Sequence, residues 1–406
     1  MVYLIPIILI TIGVLFYDYL QYKRGRIVLW ILICLYLILL AGLRYHLGED
    51  TLYYDEFYQR IPPLNHFSTS QLKGERFSIG FMVTASFFKM LTDEFTVFQL
   101  FVSIIINTAF FYFFYKNCKN IFFAALVYYI YSYIFMAFLQ IREALSVSII
   151  LLAWPFFVQK KWLQWYLLTF FATFFHLSAN IMYFLPLIYL PGVKNFFIFG
   201  KRTLFICIGV AVLGLIVQRF FFQYLQIFSF SEAIGERVDM YKDTFFAGQI
   251  LNIKGIIATI IEYILYPIIA LYFMRREGEK ENYKTGFNPE KAMVLINTYI
   301  TIFSIFIFII QRFTNYFFPF VIVILSNWVF SLIPLNDKKI RLSFLTWFFI
   351  FLPMFALHSY SLAFSKINKS GSLRTYTLYY PYSSYFDKTR DSDREKAFRY
   401  VRRKKL

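Results

Sequence analysis

The sequence predicts an all-α, polytopic membrane protein, and two observations carry that prediction. Of 406 residues, 59% are hydrophobic and 16% are charged, with a mean hydropathy of +0.58, a balance too apolar for an ordinary water-facing surface. The apolar residues also fall in runs near the roughly 20 residues that a helix needs to cross a hydrocarbon core about 30 Å thick. The alternating ten-residue segments of a membrane β-barrel are absent, so helices are the expected spanning element.

Taken in order, the expected spans are residues 1–20, 27–43, 95–115, 121–139, 143–158, 162–175, 177–190, 203–219, 251–274, 292–311, 313–333 and 342–360, about twelve transmembrane helices. The first, "MVYLIPIILITIGVLFYDYL", has neither a basic leader nor a small-residue cleavage site and reads as a retained span. The run "FSIGFMVTASFFKML" at 77–91 is short for a crossing and is expected to be a re-entrant or interfacial helix. With that assignment, "YKRGR", "KNCKN", "QKK", "GVKNFFIFGKR", "RREGEKENYKTGFNPEK" and "NDKKIR" all fall on one side, which the positive-inside rule makes cytoplasmic. The tail from Lys366, ending "RYVRRKKL", is also basic, yet the same count leaves it outside. A thirteenth span would bring that charge inward. The expected organisation is a transmembrane domain over 1–360, with outer loops 44–94 and 220–250, followed by an aromatic and basic C-terminal segment over 361–406.

The net charge of +18 suits nucleic acid in a soluble protein, but here the basic residues flank apolar runs and membrane orientation explains them. No nucleic-acid partner is expected. Cys34, Cys118 and Cys207 have no paired or metal-like spacing, so neither a disulfide nor a metal site is expected. No repeat of 20–50 residues is visible, which weighs against a transporter built from inverted repeats.

Polar residues gather at the outer helix ends. Arg44, His46, Glu49 and Asp50 follow the second span, Glu75 and Arg76 precede the short helix, and Arg142 sits in "FLQIREALS". His176 sits in "TFFHLSANIMYF", Arg237 and Tyr241 in "GERVDMYKD", and Arg312 in "IIQRFTNYFF". A charge in such a turn is costly unless it is paired or lies in a wet cavity. Each has an ordinary reading as well: a lone arginine reaches headgroups, a lone histidine packs, and Glu49 and Asp50 are solvated or pair with Arg44. "TYTLYYPYSSYF", 375–386, reads equally as an interfacial belt. Three arginines from three separate turns on one face favour an anionic ligand at headgroup depth, because guanidinium binds phosphate through planar, often bidentate hydrogen bonds. A histidine or carboxylate beside them suits a hydroxyl acceptor as base or orienting group, and tyrosine faces suit sugar rings.

These residues resemble a known family. "LRYHLGEDTLYYDEFY" is similar to the R-x-x-x-G-T-D-x-x-x-Y signature of the EpsG-like family of Wzy-type polysaccharide polymerases. "QIREALSVSI", "FFHLSANIMYFLPL", "QRFTNYF" and "YYPYSSYF" resemble later motifs of that family in the same order. Arg44, Gly48, Asp50, Tyr54, Arg142, His176, Arg312, Pro381 and Tyr382 match. Glu49, Thr51 and Glu143 depart, standing where the family has threonine, tyrosine and glutamine. The resemblance implies an enzyme that transfers a growing glycan from undecaprenyl pyrophosphate to the end of a lipid-linked repeat unit, outside the cytoplasmic membrane, without cofactor or metal. It also implies a Wzx-type flippase and a Wzz-type chain-length regulator as partners. On this reading His176, Asp50 and Glu75 are the catalytic candidates. Arg44, Arg142, Arg237, Arg312, Tyr54, Tyr241, Tyr316 and Tyr382 are candidates for binding pyrophosphate and sugar. The alternatives are a polyprenyl-phosphate-sugar glycosyltransferase, an O-antigen ligase, and a flippase for lipid-linked oligosaccharides.

Overall fold

The structure, a computed structural model, describes residues 2–68, 77–224, 264–265, 267–272, 275, 287–331, 367, 373–389 and 391–405. The expected spans at 251–274, for the most part, and at 342–360 lie outside the described residues, as do Glu75, Arg237 and Tyr241. Every element described is helical apart from one isolated antiparallel bridge. Two compact units form, one from Met1–Asn180 with Val329–Leu406 and the other from Ile181–Trp328.

The first unit contains α1 (Leu4–Gly13, continued as a π-helical turn over Val14–Tyr19), α2 (Arg26–Gly42), α3 (Thr51–Arg60), α4 (Ile79–Leu91), α5 (Phe95–Asn117), α6 (Ile121–Tyr128), α7 (Ile141–Val158) and α8 (Trp162–Thr173). π-Helical turns over Tyr129–Tyr133 and Phe135–Leu139 extend α6. Among the described residues α5, α7 and the Lys201–Gln218 segment are each long and apolar enough to cross a membrane, and several shorter apolar helices accompany them. The chain is a membrane protein.

Helix α5 packs against both α2 and α7, and α7 pairs with α8. Hydrogen bonds to main-chain carbonyls tie these helices together, since van der Waals contact and such bonds replace the hydrophobic drive that lipid removes. Ser103 donates to Ile38 at 2.9 Å, Tyr133 to Leu37 at 2.6 Å, and Ser146 to Ala172 at 2.9 Å. The opposite face of α8, with Leu163, Leu167, Phe170 and Phe171 exposed, is apolar as a lipid-facing surface must be.

Polar contacts define two ends. At one, Arg26 Nη2 donates to the Lys119 carbonyl at 2.8 Å and lies 3.8 Å from Asp18, which accepts from the Phe123 N–H. This end carries the basic loops around 22–26 and 116–119. At the other, Gln99 near the start of α5 donates 2.9 Å bonds to the carbonyls of Gly42 and Arg44 at the end of α2. Helices α1, α2, α5, α6 with its π-helical continuation, α7 and α8 run alternately between these ends.

Helix α4 behaves differently. Its start meets the turn after α8, where Gly80 N–H donates 2.8 Å to the Phe174 carbonyl. Its end meets α3, where Tyr58 donates 2.8 Å to Thr92 and Gln59 donates to Asp93, immediately before α5 begins. Both termini of α4 therefore lie at the end where α2 finishes and α5 starts.

The C-terminal segment also docks at that end. Arg44 and Ser384 form the antiparallel bridge, Gly48 N–H donates 3.0 Å to Leu378, and Tyr382 donates 3.0 Å to Leu40. The first loop and the tail thus lie at one end of the first unit. The final helix, Ser392–Lys405, is held by Leu378 packing on Ala397 and Phe398.

The second unit contains a 3₁₀ segment running through to Tyr189, α9 (Pro191–Lys194), α10 (Lys201–Tyr224), α11 (Pro289–Ser304), a 3₁₀ turn Phe308–Phe313, and α12 (Thr314–Ser331), whose last residues belong to the first unit. Asn288 caps α11 by accepting from Lys291 N–H at 3.1 Å, with Pro289 preset in its first turn. Tyr299 of α11 donates to the Phe196 carbonyl at 3.2 Å.

Candidate active site

Arg44 is the first of the expected residues, and it is fully enclosed at 2% exposure. Its Nε donates to the Leu47 carbonyl at 3.3 Å, Nη1 to Ala41, and Nη2 to Phe138 at 3.2 Å, and the guanidinium lies 4.7 Å over the Phe138 ring. Burial lowers its pKa to about 10, which still leaves it cationic at neutral pH. The fork is spent on main-chain carbonyls, so Arg44 builds the loop instead of presenting itself to a ligand. Gly48 turns that loop with φ +95°, a conformation that costs a residue with a Cβ. Thr51 donates to the Leu47 carbonyl, and Asp50 stands at the N-terminus of α3 with its carbonyl accepting from Tyr54 N–H.

Arg142 opens α7 beside this loop. Its guanidinium lies 4.8 Å over the Phe77 ring, and Tyr53 stacks on Phe77 at 5.0 Å and 21°. Phe57 contacts the same ring at 3.9 Å. The result is a plate of cation, buried phenyl ring and exposed tyrosine drawn from α7, the approach to α4, and α3. Tyr54, expected as a sugar contact, is 3% exposed, and its hydroxyl donates to the Leu139 carbonyl at 3.3 Å.

His176 follows α8. Its Nε2 is 4.0 Å from the buried carboxylate of Glu143, in the first turn of α7, where a negative charge is favoured by the helix dipole. Nδ1 accepts from the Ser178 N–H at 3.3 Å and contacts the Ser178 hydroxyl. Ser78 donates to the neighbouring Phe175 carbonyl, so the approach to α4 braces the histidine turn. Arg142 and Glu143 are sequence neighbours, and through them the Phe77 plate and the His176 turn form one site in the first unit.

The residues 27–384 match the model of the EpsG family. The chain belongs to the EpsG family. It is thereby a membrane protein of polysaccharide biosynthesis, in a family associated with glycosyltransferase-like polymerases. No curated protein and no solved structure matches the chain significantly.

The family motifs come together in part. The Arg44 loop and the Tyr-Pro-Tyr segment of this EpsG-family chain are in direct contact, with Tyr382 bonded to α2 and its hydroxyl raised by burial to a pKa of about 12. Arg142 and His176 share the site described above. Arg312 is exposed in the 3₁₀ turn before α12, and Tyr316 is fully buried four residues on. Both belong to the second unit. Sequence reasoning passed over Tyr53 and Phe77 because aromatics are so abundant here. It noted Glu143 only as a departure from the motif, though an acid one turn from a helix start and a histidine across a helical hairpin were both visible.

Proposed function

We propose that this protein is a polysaccharide polymerase of the cytoplasmic membrane, transferring a growing glycan from undecaprenyl pyrophosphate to the terminal sugar of a lipid-linked repeat unit on the outer face. The observation that carries the reading is the Arg142–Phe77–Tyr53 plate beside Glu143 and His176, at the end opposite the basic loops. A guanidinium fixed against a ring is preorganised for a pyrophosphate, and the exposed tyrosine offers a face to a sugar. Arg142 holds the donor pyrophosphate and stabilises the charge that develops as the sugar C1–O bond breaks. Arg44 supports it by shaping the loop. His176, Asp50 and Glu75 are the groups proposed to orient the acceptor hydroxyl, and Tyr382 to frame the sugar path.

The topology fits this reading. Both ends of α4 lie at one end of the first unit, which supports a re-entrant helix. The basic loops, placed inward by charge bias, leave the site facing out. A flippase supplying repeat units and a chain-length regulator are the partners this reaction requires. The test is a ladder assay with purified protein and synthetic undecaprenyl-pyrophosphate repeat units of the native structure. A ladder from the wild type that disappears in Arg142→Ala supports the reading. A folded wild type that makes no ladder, or an Arg142→Ala variant that makes a normal one, overturns it.

A further inference from the structure

His46 and Asp55 form a second histidine–carboxylate pair, at the same end of the first unit. His46 Nε2 lies 3.2 Å from Asp55 Oδ2, and each side chain is 26% exposed. The carboxylate is held at both oxygens, for Gln59 Nε2 donates to Oδ1 at 3.3 Å from one turn further along α3. Gln59 is in turn fixed by Lys89 Nζ, which donates to its Oε1 at 3.4 Å, and by its own bond to the Asp93 carbonyl. The imidazole stacks on Tyr45 at 4.0 Å and 12°. The backbone of His46 takes φ +48°, a left-handed conformation that non-glycine residues adopt at a cost.

This geometry fixes the tautomer. An ionised carboxylate only accepts, so in the neutral imidazole Nε2 carries the proton toward Asp55 and Nδ1 keeps its lone pair. No described residue hydrogen-bonds Nδ1. His176 is the opposite case, with Nδ1 accepting from its own turn and Nε2 aimed at Glu143. We propose that His46 is the proton acceptor for the acceptor sugar hydroxyl, with Asp55 as its positioning residue; this rests on the polymerase reading above. The hydroxyl proton passes to His46 Nδ1 as the hydroxyl oxygen bonds to C1 of the donor glycan. The C1–O bond to pyrophosphate breaks with its electron pair leaving on the lipid pyrophosphate. The imidazolium formed is balanced by Asp55 and returns its proton to water.

The experiment uses membranes of the native producing strain, whose endogenous lipid-linked repeat units are the substrate, with the chromosomal copy replaced by variants. His46→Asn is chosen because asparagine tolerates left-handed backbone, and His46→Gly because it leaves room for added imidazole. Loss of a positioned base typically costs about 10²- to 10⁴-fold. The expected result is a loss of that size in both variants at wild-type protein level and thermal stability, with imidazole restoring His46→Gly and not Arg142→Ala. Asp55→Ala is expected to fall and Asp55→Glu to recover part of the rate. Polymerisation by His46→Asn within twofold of wild type overturns the proposal, and so does a loss that imidazole leaves unrelieved. A replacement strain lacking the protein altogether that still polymerises at the wild-type rate sinks the polymerase reading itself, whatever His46 does.

Discussion

Arg44 and Ser384 are paired across an antiparallel bridge, with Tyr45 N–H donating 2.9 Å to Ser383 and Tyr385 N–H donating 2.8 Å to Leu43. The same Arg44 ties Ala41, Leu47 and Phe138 together from below. Its removal strands buried carbonyls around an empty space, and a buried acceptor left unsatisfied costs roughly 1–3 kcal/mol. Arg44→Ala is therefore expected to lower thermal stability in detergent together with activity. An unchanged unfolding transition would contradict this account of Arg44.

Phe77 contacts both Arg142 and Tyr53. Phe77→Leu keeps an apolar side chain but removes the ring face, forfeiting a cation–π contact of about 1 kcal/mol. The expected outcome is a roughly fivefold lower polymerisation rate with little change in protein level. Arg142→Lys keeps the charge without the planar fork and is expected to recover little of the loss seen in Arg142→Ala.

A Cβ at Gly80 would stand 2.8 Å from both the Cβ and the carbonyl oxygen of Phe174. Gly80→Ala must push α4 away from the turn that carries His176, and overpacking of this kind costs roughly 1–3 kcal/mol. Reduced stability and reduced rate together are the expected result. Thr84→Ala, one turn along and merely bonded to the Gly80 carbonyl, serves as the mild comparison.

Burial raises the Asp55 carboxyl, but hydrogen bonds from His46 and Gln59 and the charges of His46 and Lys89 outweigh it, leaving its pKa below the usual carboxylate value. A depressed folded pKa gives stability that is present above the unfolded value, about 3.9, and that is lost as pH falls through the folded value. Wild type should therefore lose stability more steeply below about pH 4 than Asp55→Asn does. Parallel acid limbs in the two proteins would refute the pairing.

Sidedness can be read by labelling. In a background with Cys34, Cys118 and Cys207 replaced by serine, Phe386→Cys in the exposed tail and Lys23→Cys in a basic loop are compared in intact cells. A membrane-impermeant maleimide is expected to react at 386 and not at 23. Equal reaction at both positions would contradict the placement of the basic loops and the tail on opposite sides.

Much of the bundle was legible because hydrophobic run length and loop charge are one-dimensional signals. The second span at 27–43 is α2 at Arg26–Gly42, and the short helix at 77–91 is α4. The π-helical turns between Tyr129 and Leu139 left no such signal, since the length of an apolar run does not distinguish one helical winding from another. The site was half legible for the same reason. Charge in an apolar turn singled out Arg142 and His176, but a run of letters cannot tell whether a guanidinium faces a ligand or a carbonyl. Arg44 and Arg142 look alike in sequence; the first is enclosed by three main-chain oxygens and the second lies on an aromatic plate.

The first unit joins Met1–Asn180 to Val329–Leu406, and this sets an order on biosynthesis. The loop after α2 emerges early from the ribosome, yet Gly48, Tyr45 and Leu43 find their partners only once Leu378 to Tyr385 have been made. A nascent chain interrupted between residues 313 and 372 carries Arg44, Arg142, Arg237 and Arg312 but an unlatched first loop. The tail thereby closes a loop that every earlier helix of the unit leaves open.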